Sequence, residues 1–262
     1  MMRFGPAGLG GVKEAVNNLQ QYSKLGLKAC EIAFTYGIYI KDGMGEIEEI
    51  RKTAEKLDIK LSIHAPYYIN LNSEDKKKIQ DSKKRIIDCC KIGEKLGAEI
   101  VVFHPGFYGK KSKEETYENI KKEIIKLQEE IKKNNWKIKI APETTGKVNV
   151  FGSVEEILKL VRETGCYFCV DFSHVYARSL GKTSYKEIFE NFAKFSSLHC
   201  HFSGIEYGEK GEKNHTFTDE KEIKKLLAVL PKDKDITIIN ESPAPVEDAG
   251  KMLKISKNFQ PH

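Results

Sequence analysis

A single (β/α)8 TIM barrel over residues 1–262 is the fold the sequence predicts, on three observations. Short apolar or β-branched runs alternate with longer amphipathic stretches along the whole chain. Strands joined through helical crossovers pair in parallel. The alternation repeats eight times, the number that closes a barrel. No Gly-rich phosphate fingerprint follows the first run, and "GLGG" alone does not make one, so a doubly wound open sheet is the weaker alternative.

In chain order the predicted strands are Met2–Gly5, Lys28–Phe34, Lys60–His64, Glu99–His104, Lys137–Glu143, Cys166–Asp171, Ser196–His201 and Asp235–Glu241. The helical patterns between them cover Val12–Leu25, Glu46–Leu57, Ser73–Leu96, Ser112–Asn134, Ser153–Thr164, Ser184–Phe192, Asp219–Leu230 and Val246–Lys257. Several open on Ser or Asp, whose side-chain oxygens accept from the free N–H groups of a first turn, and "KLG" twice closes a helix with glycine.

Composition narrows the classes. No Gly/Ser or Pro tract divides the 262 residues, and no segment is long and apolar enough to span a membrane. The opening "MMRFGPAGLGG" lacks the charged-then-apolar build of a secretory signal, so a cytoplasmic location is expected. Forty-four basic and 38 acidic residues interleave, as in "KKEIIKLQEEIKKNN", which marks solvated helix faces; the net charge of +6 favours an anionic partner only weakly. The six cysteines are expected to be small buried apolar residues of a reduced compartment. Cys166 and Cys169 lie three apart in a strand and so point to opposite faces, unable to grip one metal together.

In such barrels the working face is the end where strands stop and βα loops begin. The third strand ends at His64, the fourth at His104, the fifth at Glu143, the sixth at Asp171, the seventh at His201 and the eighth at Glu241. One such residue is an ordinary cap. Six on successive strands make a divalent-cation composition that suits zinc or manganese, and crowding three carboxylates without a cation would be costly. His199, two residues before His201, shares its strand face and is expected deeper, as a hydrogen-bonded layer residue. His174 follows the sixth strand, where it could cap or ligate, and His215 in "EKNHTF" is a candidate companion from the next loop.

Together "HAPYYINL", "FHPG", "PETTG", "VDFSHVYA", "HFSG" and "NESP" resemble the apurinic/apyrimidinic endonuclease IV family of the xylose-isomerase-like barrels, in that family's order and over nearly the whole chain. The resemblance implies a zinc-dependent DNA-repair hydrolase, a monomer acting on DNA with abasic sites and without a membrane partner. It would cut the phosphodiester 5′ to the lesion, leaving a 3′-hydroxyl and a 5′-deoxyribose phosphate. His64, His104 and Glu143 would hold a first zinc; Glu143, Asp171, His201 and Glu241 would hold a second, with Glu143 bridging. His174 matches a ligand of a third, which the family completes with an Asp-x-His pair. Here that stretch reads Lys213-Asn214-His215, and a protonated lysine cannot coordinate, so a third metal requires Glu212 to reach it. Glu143, His174 and His215 would carry the chemistry, the two histidines stabilising the departing 3′ oxygen. Tyr67 and Tyr68 match the pair the family pushes into the duplex, and Lys110, Lys147 and Arg178 are candidate phosphate contacts. Two departures stand out: "RFGPAG" lacks the family's first-strand histidine, and "FTYGIYIKDG" lacks its DNA-entering arginine.

Two other readings stay open. Glu143, Asp171, His201 and Glu241 are also the four-ligand set of single-metal sugar isomerases and epimerases of the same superfamily, where outer glutamates move protons on a keto-sugar. A non-catalytic binder of damaged nucleic acid is the third reading, resting on Lys213 and the missing arginine.

Overall fold

The computed structural model describes residues 1–40 and 45–259. Residues 41–44, the first three of which end the "FTYGIYIKDG" stretch, and residues 260–262 lie outside the described residues. Strands β1 (Met2–Pro6), β2 (Ala29–Ala33), β3 (Lys60–His64), β4 (Ile100–Phe103), β5 (Lys139–Pro142), β6 (Val170–Asp171) and β7 (Ser197–Phe202) appear in that order. They are followed by β8 (Gly204–Gly208), β9 (Gly211–Thr216) and β10 (Asp235–Asn240). Two parallel ladders run β1-β10-β7-β6 and β2-β3-β4-β5. Parallel bridges Ala7–Glu31 and Glu143–Cys169 join them at both seams, closing the ring. The seam bonds are ordinary ones: Gly8 N–H to the Glu31 carbonyl at 2.7 Å and Thr144 N–H to the Cys169 carbonyl at 3.1 Å.

Around the ring lie α1 (Ala15–Lys24), α2 (Glu46–Leu57), α3 (Lys76–Leu96), α4 (Lys113–Lys133), α5 (Val154–Thr164), α6 (Phe172–Arg178), α7 (Tyr185–Phe192), α8 (Glu220–Val229) and α9 (Pro245–Asn258). The Ser and Asp starts cap as read at residues 112, 153, 184 and 219, while the third helix opens at Asp75 and not at Ser73. Ser112, Ser153, Ser184, Asp75 and Asp219 each accept a backbone N–H of the first turn, and Ser153 and Ser184 add the reciprocal glutamate of a capping box. The apolar stripes of α3 and α4 bury Ile86, Cys89, Cys90, Ile120, Ile124 and Leu127 against the strands' outer faces. All six cysteines are free and buried. Among the described residues no helix is long and apolar enough to cross a membrane.

The eight-by-eight pattern needs two corrections. A short helix, α6, follows β6 at once, so one crossover carries two helices. After β7 the chain makes an antiparallel hairpin, β8–β9, before α8. The sequence reading passed over that hairpin because Glu206, Glu209, Lys210, Glu212 and Lys213 hide the apolar alternation that marks a strand. Both additions lie on the barrel's C-terminal side, where they border the site.

Candidate metal centre

The closed ring turns strand ends that are far apart in sequence toward one mouth, and Glu143 stands at its middle. Fully buried at the exit of β5, Glu143 divides its two oxygens. Its Oε2 faces His104 Nε2 at 3.0 Å and His64 Nε2 at 3.2 Å. Its Oε1 faces His201 Nδ1 and His174 Nδ1, both at 3.2 Å. Donor atoms of His64, His104 and Glu143 all lie within 4.8 Å of one another, as do those of Glu143, Asp171, His201 and Glu241, and those of Asp171, His174 and His215. Every histidine and carboxylate predicted for the rim is thus brought into one connected cluster.

The polar groups fit a cation. Asp171 caps α6, its Oδ1 accepting the backbone N–H of His174 at 2.8 Å. Its Oδ2 is buried without a hydrogen-bond partner and belongs to the Glu143–His201–Glu241 group. One carboxylate therefore does both jobs, cap and candidate ligand. Burial raises the Asp171 carboxyl above the usual range, and the neighbouring charges of Glu143 and Glu241 add to that against the pull of His174. An unpaired buried oxygen is what a bound cation would satisfy.

In four of the imidazoles one nitrogen meets a partner outside the candidate ligand set. His64 Nδ1 lies 2.8 Å from the Ala65 carbonyl, His174 Nδ1 3.0 Å from the Thr144 carbonyl, and His215 Nδ1 2.6 Å from Ser203 Oγ. His201 Nε2 lies 2.9 Å from Glu31 Oε1. Such outer partners fix the ring's orientation and its tautomer.

Glu31 is the residue that strand-exit reasoning missed. It sits in mid-strand on β2, fully buried inside the barrel. Its Oε2 accepts from Ser62 Oγ at 2.8 Å and faces His199 Nε2 at 3.0 Å. Burial opposes its charge, but the His201 and His199 rings outweigh that and hold its carboxyl below the usual range. The signal was present in "LKACEIAF", where a lone charge interrupts an apolar run. His199 occupies the deeper layer as expected, its pKa lowered by burial. Cys169 adds a polar contact the sequence reading did not give it, with His199 and His201 in reach of its sulfur. Glu31→Gln should weaken divalent-cation binding at the His201 group by about 10–100-fold, the usual effect of losing such an outer partner. A competition titration against a chelating dye measures this, and unchanged affinity would refute the positioning role.

The mouth is an opening of about 310 Å³ edged by Tyr67, Lys147 and Glu241. Tyr67 and Tyr68 are 55% and 57% exposed, and the Tyr67 ring centroid lies 5.7 Å from that of His64. Lys147 and Lys110 are exposed on the loops after β5 and β4. Arg178 is placed differently from its expected use. Its guanidinium donates to Thr145 Oγ1, to the Lys147 and Val150 carbonyls and to the Tyr108 hydroxyl, so it braces the loop after β5. A larger hollow of about 570 Å³ opens at the opposite end of the barrel. Its charged lining is largely committed to ion pairs such as Lys60–Glu99 and Lys60–Asp235.

A closed parallel barrel with cation-type donors at its C-terminal mouth defines the class. A family model described as a xylose isomerase-like TIM barrel matches residues 19–258, and the chain belongs to that family. An uncharacterized protein of Methanocaldococcus jannaschii is 37% identical over 97% of this chain and 96% of its own length. An apurinic-apyrimidinic endonuclease of Caenorhabditis elegans is 26% identical over 74% of this chain, an alignment spanning 52% of that protein. Among solved structures, endonuclease IV from Thermus thermophilus superposes with a TM-score of 0.76 at 21% identity, covering 98% of both chains. A D-tagatose 3-epimerase-like protein gives 0.72 at 19% identity, covering 98% of this chain and 97% of the other. At such identities the structural likenesses establish the fold alone.

Proposed function

We propose that this chain is a zinc-dependent phosphodiesterase that incises DNA 5′ to abasic sites, leaving a 3′-hydroxyl and a 5′-deoxyribose phosphate. The observation that supports it best is the division of Glu143 between two donor groups, Oε2 toward His64 and His104, Oε1 toward His201 and the Asp171–Glu241 side. His64, His104 and Glu143 would hold one ion; Glu143, Asp171, His201 and Glu241 would hold the other. A pair of divalent ions supplies, when bound, a clamp on the attacking and leaving oxygens of an in-line phosphoryl displacement. Glu143 fixes the spacing of the two halves of the mouth, and the buried wall formed by Asp171 and His201 keeps bulk water from their inner side. Lys147, at the edge of the mouth, and Lys110, on the loop after β4, would offer positive charge to an incoming backbone phosphate. A sugar without its base has lost its stacking and is cheap to turn out of the duplex. Tyr67 and Tyr68 would fill the gap it leaves.

A single-metal sugar epimerase is the second reading, favoured by the Glu143–Asp171–His201–Glu241 group taken alone. The His64–His104 pair on the other Glu143 oxygen gives donors that such a site does not need. One assay separates the two: a duplex with one abasic site, and a panel of keto-sugars, each offered to metal-stripped and zinc-restored protein. Incision lost on chelation and restored by zinc supports the phosphodiesterase, whereas epimerisation without cutting would replace it.

The tyrosines give a graded expectation. Tyr67→Ala with Tyr68→Ala should raise KM for the abasic duplex by about tenfold or more, from the roughly 1–3 kcal/mol that aromatic–base stacking contributes. kcat at saturation should change much less. An unaltered KM would remove both rings from the DNA interface.

A further inference from the structure

His64, His174, His201 and His215 each have a ring partner outside the candidate ligand set. His104 does not. Its Nε2 faces Glu143 Oε2 at 3.0 Å, and among the described residues its ring makes no hydrogen bond outside the cluster. The ring centroid lies 5.6 Å from that of His64. With no polar group gripping the imidazole from behind, its place depends on the backbone that carries it, the loop after β4.

Four successive carbonyls of that loop are taken up by neighbouring segments. The Pro105 carbonyl accepts from Leu71 N–H at 2.9 Å and the Gly106 carbonyl from Phe151 N–H at 3.1 Å. The Phe107 and Tyr108 carbonyls accept from Asn72 Nδ2 at 2.8 and 3.2 Å. Phe107 N–H donates to Asn70 Oδ1 at 3.4 Å. Gly106, at φ +146°, allows this approach, since a Cβ there would meet Asn70 Oδ1 at 2.5 Å.

Asn72 is the centre of this clamp. It is 4% exposed and lies on the loop after β3, which also carries Tyr67 and Tyr68. All its polar atoms are engaged. Beyond the two loop carbonyls, Nδ2 reaches Thr116 Oγ1 at 3.1 Å. Oδ1 accepts from Asn119 Nδ2 at 2.9 Å and from Lys111 Nζ at 3.3 Å. The backbone N–H donates to Asn70 Oδ1 at 3.0 Å, and the carbonyl accepts from Lys111 Nζ at 3.3 Å. Asn119 and Lys111 fix which way the amide faces, because a turned amide would set its own donors against theirs.

We infer that Asn72 is a positioning residue for His104, holding the loop after β4 so that this imidazole stands beside His64 on the Oε2 side of Glu143. The inference rests on the metal-dependent reading above, and its test needs no DNA. Zinc alone is the probe, titrated into metal-stripped protein while the His64, His104 and His201 ring protons are followed by NMR, each assigned through its own His→Gln variant. Asn72→Ala should weaken uptake at the His64–His104 group by about tenfold or more, the range for losing a partner that orients a ligand, and at the His201 group much less. Asn119→Ala, on α4, removes one of the two donors that orient the amide. It should weaken the same group by about two- to tenfold, the contribution of one hydrogen bond, and it carries the test if Asn72→Ala does not fold. Ser184→Ala removes the cap of α7 and lowers stability without touching the clamp, so both groups should bind as in the wild type. Wild-type affinity at the His64–His104 group in either Asn variant, equal weakening of both groups, or the same weakening in Ser184→Ala would each overturn the role. Selective weakening in a protein that cuts no DNA would remove the proposed activity and leave Asn72 its role; incision retained with unselective weakening would do the reverse.

Discussion

Glu143→Gln should lower incision at an abasic site by on the order of 10³-fold or more, at the upper end of what one preorganised electrostatic group contributes. The carboxamide has nearly the same shape, so the barrel survives, but its nitrogen cannot accept or ligate. Whichever way the amide turns, one donor group loses its anionic member: the His64–His104 side or the His201 side. The loss should fall on kcat, with KM for DNA much less affected, because no contact to the duplex is removed. Single-turnover cutting on a labelled duplex reads the rate, and thermal melting of the same sample shows that the fold is kept. Wild-type cutting by Glu143→Gln would refute the divided carboxylate as the working element.

Zinc returned to chelated protein should raise its melting temperature by roughly 10–20 °C. An ion at a hundred times its dissociation constant contributes about 2.7 kcal/mol, two such ions about twice that, and each kcal/mol shifts Tm by about 2–4 °C for a chain of about 150–250 residues. The uptake should also depend on pH, with a definite sign. In the metal-free protein burial disfavours charge on His64, but the hydrogen bond and charge of Glu143, with Glu31 and Glu241 behind it, raise the ring to about 9. The ordinary imidazole value is lower, so this ion pair stabilises the metal-free fold fully below about 6.5 and ceases to as pH rises through about 9. Zinc needs the neutral ring, so its binding expels that proton. Affinity should therefore climb by about tenfold per pH unit from this group alone, levelling near pH 9. Glu241 adds nothing to that slope, because His201 outweighs its burial and holds it at about 2, ionised throughout. Isothermal titration in buffers of different ionisation enthalpy counts the protons; pH-independent uptake would show that His64 is not a ligand.

The barrel and its rim were legible for the same reason. A strand's last residue is fixed by where its apolar run stops, and a closed parallel ring sends all such residues to one end, so His64, His104, Glu143, Asp171, His201 and Glu241 could be read in one dimension. Glu31 escaped because it works from inside the barrel, and no strand end marks it. The hairpin escaped because Glu206, Glu212 and Lys213 give it a charged surface strand's composition. Its bulge escaped for a deeper reason: period-two reasoning takes Lys213 and His215 as neighbours on one face, and only the ladder shows an inserted residue changing that parity. Arg178 was read from its loop position as facing DNA, yet four acceptors on its own fold, at Thr145, Lys147, Val150 and Tyr108, claim its guanidinium.

The central claim is that one carboxylate ties two cation-binding groups together at the barrel mouth. Anomalous diffraction at the zinc edge, from crystals grown with zinc, tests it most directly. The account predicts two neighbouring peaks touching opposite oxygens of Glu143, one shared with His64 and His104, the other with Asp171, His201 and Glu241. A lone ion that does not touch Glu143, or zinc found only away from the mouth, would contradict it.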